Sequence, residues 1–297
     1  MNLPKLQPVK SAENLRERVV RFFCNPGKNS STSLQLDLEL SSTGDLAVDI
    51  DAPANNVKEF IDFISDSIPS GGVYLFGGIL RDLALLGKRG FDSDIDLVVE
   101  GDWGHLVKYL EHMNAHKNKF GGYRLSVAGW PIDIWNAEET WAIKQKLVPY
   151  LGISSLTETT VLNWDAILMN WRTREFICRE KYFEEINLGV LDVVLEENPN
   201  PLGMAVRVFR HAFLKEAKKL TPMAIKYLVK CANKYTFEQL RDAELKSYRN
   251  TVIQRSRVNF FKNIDVSGTK DLLREIDIAS DIFKQEVEFA QHKLIKV

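Results

Sequence analysis

The stretch GGVYLFGGILRDLALLGKRGFDSDIDLVV, residues 71–99, decides how the chain is read. Val73–Phe76 is an apolar run of strand type, Gly77-Gly78 breaks it, and Ile79–Leu86 carries apolar residues at helical spacing. A glycine-marked turn then leads into a second strand holding Asp94 and Asp96. Residues i and i+2 of a strand share a face, so the two carboxylates point the same way from one rigid segment. Two like charges so placed call for a cation. Mg²⁺ fits, being a hard ion that takes carboxylate oxygens and keeps waters and substrate phosphates as its other ligands. Gly77 and Gly78 lack Cβ atoms and let a ligand approach the backbone closely. The helix after them offers an anion unpaired N–H groups and the positive end of its dipole. Arg81, in its first turn, carries a guanidinium suited to bidentate phosphate contact, and Asp82 beside it reads as a helix-terminus or Arg81-orienting group rather than a metal ligand. Together these pieces describe a site for a nucleoside triphosphate and its metal.

A strand, GG, two residues, RD, a helix ending LLG and then D-x-D on the next strand is also a family pattern. LFGGILRDLALLG followed by DSDIDLVV resembles the head domain of the bacterial-type poly(A) polymerase and tRNA CCA-adding nucleotidyltransferases, within the polymerase-β-like superfamily. The resemblance implies an α+β head with a mixed sheet and flanking helices, followed by a short all-helical C-terminal domain. It also implies transfer of a nucleoside monophosphate from an NTP to a hydroxyl, most naturally an RNA (tRNA) 3′ end, with pyrophosphate leaving.

A further stretch, YRLSVAGWPIDIWN at 123–136, reads as two alternating strands, Tyr123–Val127 and Ile132–Trp135, around the turn Gly129-Trp130-Pro131. Asp133 lies between two isoleucines and so faces away from them. In the family a third carboxylate beside the D-x-D strand completes the metal site, and Asp133 stands in the corresponding place. Two Mg²⁺ ions can hold the attacking and leaving oxygens of an in-line displacement. By the family's logic Asp94 and Asp96 hold both ions, and Asp133 helps to activate the acceptor hydroxyl. Asp92 reads as a turn residue at the strand's beginning.

Departures from the pattern bear on the substrate. Relatives carry a segment reading roughly R-R-D-F-T-I-N-A, whereas this chain has Thr159-Thr160-Val161-Leu162-Asn163-Trp164-Asp165-Ala166, without the paired arginines. The segment NPNPLGMAVRVFRHAFLKEAKKL resembles the neck helix E-D-x-x-R-x-x-R. Arg207 and Arg210 match its arginines and imply nucleotide contacts, but Gly203 and Met204 replace the acids that read the base edge in CCA-adding enzymes.

The 297 residues, 45% of them hydrophobic, suffice for a substantial core. The formal net charge of −1 conceals an asymmetry, because residues 203–262 hold 14 Lys/Arg against 4 Asp/Glu. A basic helical portion beside an acidic head suggests a polyanionic partner, with Arg241, Lys246, Arg249, Arg255 and Arg257 as candidate RNA contacts. The three scattered cysteines form no C-x-x-C, and no apolar run approaches 18 residues, so a reduced, soluble cytoplasmic protein without a membrane partner is expected. His112 and His116 have an i, i+4 spacing but lack the H-E-x-x-H order, and no zinc is expected.

The expected organisation is an N-terminal extension (1–55), a head (56–200) and a helical neck and body (201–297). The extension should hold a helix at Glu13–Phe23 and a hairpin from SLQLDLEL and DLAVDID. Further helices are expected at Asn56–Ser67, Trp103–His116, Pro222–Tyr235, Thr236–Phe261 and Thr269–Lys293. Two other functions fit the altered substrate half. One is a toxin or defence transferase that modifies tRNA or a protein hydroxyl, and the other is a non-catalytic nucleotide or RNA sensor.

Overall fold

The computed structural model describes residues 6–24, 56–91, 93–113, 115–215, 217–265 and 275–283. The expected N-terminal hairpin, Asp92, and most of the helical pattern from Thr269 to Lys293 lie outside these residues. The chain divides into two compact units, Met1–Thr160 with Trp164–Asn187, and Val161–Asn163 with Leu188–Val297.

The first unit is built from α1 (Ala12–Cys24), α2 (Val57–Asp66), β1 (Gly71–Phe76), α3 (Gly78–Leu85), β2 (Ile95–Gly101) and α4 (Trp103–His112). These are followed by β3 (His116–Lys117), β4 (Tyr123–Val127), β5 (Trp130–Asn136), α5 (Trp141–Lys144), β6 (Ile167–Asn170), β7 (Phe176–Cys178) and α6 (Tyr182–Leu188). The strands form one mixed sheet in the order β3-β4-β5-β2-β1-β6-β7. Only β2 and β5 pair in parallel; every other neighbour is antiparallel.

Both sheet faces are covered, which is why the central strands read as nearly continuous apolar runs. On one face Val73, Leu75, Leu97, Val99, Ile132, Ile134 and Met169 are buried, with α2 and α3 against β1. On the other, Tyr74, Val98 and Leu168 pack with Ala137 and Leu156 under half-buried Trp135, Tyr150 and Ile153. Each fully buried Val, Leu or Ile contributes about 1.5–3 kcal/mol of transfer free energy.

α1 serves the site indirectly. Arg18 donates from Nη1 to the carbonyls of Leu83 and Ala84, both at 2.9 Å, adding a charged donor to acceptors that the Gly87 and Val9 N–H groups also meet, and so ties α1 to the last turn of α3. The expected helix to His116 stops earlier. α4 ends at His112, and His116 begins β3, so the two histidines do not share a helical face.

The second unit holds β8 (Val190–Leu191), α7 (Pro201–Leu214), β9 (Lys219–Leu220), α8 (Pro222–Lys234), α9 (Phe237–Tyr248), α10 (Arg255–Lys262) and β10 (Ile276–Asp277). It is mainly helical, with a small β10-β9-β8 sheet added. Ile276 and Asp277 pair with β9, so the helix expected from Thr269 is not continuous. The helix starts follow local chemistry. Asn200, Thr221 and Thr236 each accept an N–H in the first turn, and proline follows the first two caps.

The single helix expected over Thr236–Phe261 is two helices. Arg249 turns left-handed (φ 54°), and Glu244 accepts the Val252 and Ile253 N–H groups at 2.9 and 3.1 Å, which holds the chain out of helix. No described helix is long and apolar enough to cross a membrane.

Candidate active site

One end of the sheet gathers most of the residues singled out from the sequence. Because β1 and β2 are antiparallel with Phe76 opposite Asp96, the glycine turn that ends β1 lies beside the segment that begins β2. Gly77 has φ +59° and ψ −112°, a conformation that side chains with a Cβ rarely adopt, so glycine is needed there. A Cβ on Gly78 would lie 3.0 Å from Ser93 Oγ, so the turn touches the residue before Asp94. β6 approaches from the other side, where the Gly77 N–H donates to the Ile167 carbonyl at 3.0 Å.

Across β2, Asp96 pairs in register with Asp133 on β5, and Asp133 pairs with Arg124 on β4. Aligned neighbours share a sheet face, so Arg124, Asp133 and Asp96 form a row, with Asp94 two residues before Asp96. Arg124 went unremarked in the sequence. Its Nη2 donates to Asp94 Oδ2 at 2.6 Å, and its Nη1 lies 3.4 Å from Asp133 Oδ2. The only sequence trace of this contact is the alternation of YRLSV, which places Arg124 on one face of β4 without naming what lies opposite. Asp133 is almost wholly buried, whereas Asp96 is half-buried.

Arg81 sits beneath the glycine turn, 2% exposed, and each of its guanidinium nitrogens is engaged. Nε donates to Asp82 Oδ1 at 3.0 Å, Nη2 to Ser93 Oγ at 2.9 Å, and Nη1 to Asp165 Oδ1. Ser93 Oγ in turn donates to Asp82 Oδ2 at 2.7 Å, closing the network. Arg81 therefore ties α3, the residue before Asp94, and Asp165 two residues before β6 into one frame, with Asp82 taking the orienting one of its two expected roles. Asp165 as the second anchor is legible only as a departure from the family segment.

The hard oxygens of Asp94 and Asp96 are of the kind a divalent cation takes. Among the described residues, however, no group of three or more His, Cys, Asp and Glu is arranged to hold a metal, and a guanidinium stands between Asp94 and Asp133.

In the second unit Arg210 is buried on α7. It donates to Glu244 Oε1 at 2.6 Å and Asn250 Oδ1 at 2.8 Å, with its guanidinium 4.0 Å from the Tyr248 ring centroid. Its engagement fastens α7 to α9. Arg207 is half-buried one turn earlier, and its carbonyl meets His211 Nδ1 at 2.8 Å. Gly203 and Met204, which stand where the base-reading acids would be, are both buried.

Of the candidate RNA contacts, Arg241 and Arg255 converge on the Phe237 ring, at 5.9 and 4.6 Å, and pair with Asp242 and Glu238. Lys246 and Arg249 are exposed. Arg257 lies against the rings of Phe213 and Phe283 at 4.6 and 5.2 Å and donates to the Val252 carbonyl, so much of its side chain serves packing.

No protein-family model matches the chain, and no curated protein matches it. Solved structures do. A CCA-adding enzyme bound to CTP aligns with 20% identity and a TM-score of 0.44, covering 66% of this chain and 54% of that one. The Thermotoga maritima CCA-adding enzyme complexed with tRNA aligns with 21% identity and a TM-score of 0.41, covering 65% and 53%. A tRNA nucleotidyltransferase with a primer tRNA and an incoming ATP analogue aligns with 17% identity and a TM-score of 0.47, covering 64% and 60%. The chain thus spans about half the length of the structures it matches.

Proposed function

We propose that the protein is a nucleotidyltransferase that moves a nucleoside monophosphate from an NTP to the 3′ hydroxyl of an RNA, tRNA being the leading acceptor. The observation that carries this reading is the row of Asp96 and Asp133 on adjoining parallel strands, with Asp94 beside it, at the sheet end where the Gly77-Gly78 turn allows close backbone approach.

In such a transfer the acceptor hydroxyl attacks the α-phosphorus and pyrophosphate leaves, with no covalent enzyme intermediate. A divalent cation held by Asp94 and Asp96 would neutralise charge on the triphosphate. Gly77 and Gly78 admit the phosphates to the backbone, and Asp133 is the carboxylate in the row placed to orient the attacking hydroxyl. Arg81 acts from below, holding the glycine turn and the start of β2 in register through Asp82, Ser93 and Asp165. The basic character of residues 203–262, where Lys246 and Arg249 are exposed, favours a polyanionic acceptor. Of the two neck-helix arginines that the resemblance assigns to the nucleotide, Arg210 is engaged by Glu244.

The test is to incubate purified protein with radiolabelled NTPs, Mg²⁺ and total RNA. RNase-sensitive label is expected, lost in Asp94→Asn and Asp96→Asn. Protease-sensitive, RNase-resistant label would move the acceptor to protein. Absence of label in any acceptor would refute transfer.

A further inference from the structure

The row of charges across β4, β5 and β2 contains an element that a two-ion site does not need. Arg124 is fixed by register opposite Asp133, and its fork reaches both Asp133 and Asp94. Its side chain is 12% exposed, and those of the two carboxylates are 16% and 2% exposed, so the pairing is shielded from bulk water. An arginine stays charged at every working pH, and its planar fork can bridge two carboxylates at once. The guanidinium thus occupies the space between Asp94 and Asp133, two of the three carboxylates that a two-ion site would need. Mg²⁺ needs a near-octahedral shell of oxygens at about 2.0–2.1 Å, which cannot form around a gap occupied by a guanidinium.

We propose that Arg124 is a built-in cation that replaces one of the two metal ions, so that the site works with a single divalent ion held on the Asp94–Asp96 side. The proposal rests on the nucleotidyl-transfer reading above. It assigns Arg124 a positioning role: a fixed positive charge that offsets the repulsion between Asp133 and Asp94, holds them together at constant geometry and makes that half of the site independent of metal supply.

The test is electron paramagnetic resonance of Mn²⁺ bound to the full chain with a non-hydrolysable α,β-methylene NTP analogue. Two ions about 4 Å apart give a spin-coupled spectrum, and a lone ion does not. Wild type and Arg124→Lys should show one uncoupled Mn²⁺ per chain. Arg124→Met, similar in reach but uncharged, should show a coupled pair while keeping the wild-type circular dichroism spectrum. A coupled pair in wild type would overturn the proposal even if label transfer succeeds. A single uncoupled ion in folded Arg124→Met would also overturn it. Should Arg124→Met not fold, the wild-type and Arg124→Lys spectra decide. No bound Mn²⁺ together with no label transfer would remove both this proposal and the reading beneath it.

Discussion

Replacing Arg81 by methionine tests whether this arginine is a buried frame or a ligand clamp. The side chain is 2% exposed and Asp82 is 0% exposed, with the Asp165 side chain at 11%. Arg81→Met leaves two enclosed carboxylates without their counter-charge, and breaking a buried pair in this way costs about 3–5 kcal/mol. The Ser93 hydroxyl keeps its bond to Asp82, which places the expected loss near the middle of that range, about 4 kcal/mol. Asp165→Asn alone should cost only about 1–2 kcal/mol, because Asp82 still neutralises Arg81 and the amide oxygen can still accept from Nη1. The double variant removes one of the stranded charges and should lose about 3 kcal/mol, well short of the additive sum, giving a coupling of about 2–3 kcal/mol. All six tryptophans, Trp103, Trp130, Trp135, Trp141, Trp164 and Trp171, lie in the first unit, so tryptophan fluorescence follows its unfolding without interference from the second. With a urea dependence of about 2 kcal/mol per molar, the Arg81→Met midpoint should fall by about 2 M. Additive losses within about 0.5 kcal/mol would refute the network. So would an Arg81→Met change below about 1 kcal/mol accompanied by weakened NTP binding, which would mean that the guanidinium meets the ligand instead of the frame.

Two further outcomes test the second unit and the thiols. Glu244→Ala strands buried Arg210 and two backbone N–H groups, and should cost about 3–5 kcal/mol in the unit's helical unfolding followed at 222 nm; a loss under about 1 kcal/mol would show that the helix break does not depend on it. Burial pushes the Cys178 and Cys231 thiols up to about 11, so the neutral form favours the folded state below the ordinary thiol range and that stabilisation is lost as pH rises through about 11. Exposed Cys24 should accordingly take maleimide first at pH 8, and labelling of Cys178 at the Cys24 rate would contradict its enclosure.

Much of the site was readable in residues 71–99 because its logic is local. The glycine turn, the helix that follows and the i, i+2 spacing of Asp94 and Asp96 depend on neighbours a few positions apart, and strand and helix periods carry that information along the chain. For Asp133 the alternation gave only the face it takes; its place beside Asp96 was implied by the family resemblance, and the register of β2 and β5 puts it there. The helix expected over Thr236–Phe261 shows the opposite case. Its residues have acceptable helical propensity, yet a buried Glu244 draws the N–H groups of Val252 and Ile253 out of helix, a contact that no local pattern encodes.

By itself the sequence determined the alternation of elements, the shared face of Asp94 and Asp96, and the glycine turn before α3. Only the tertiary structure decided which charges face one another: Arg124 opposite Asp133, Arg81 between Asp82 and Asp165, and Arg210 against Glu244. The physical reason is that a charged side chain carries the same signature in sequence whether it meets water, a ligand or a buried partner. Its partner is set by strand register and packing between segments far apart in the chain, 84 positions for Arg81 and Asp165.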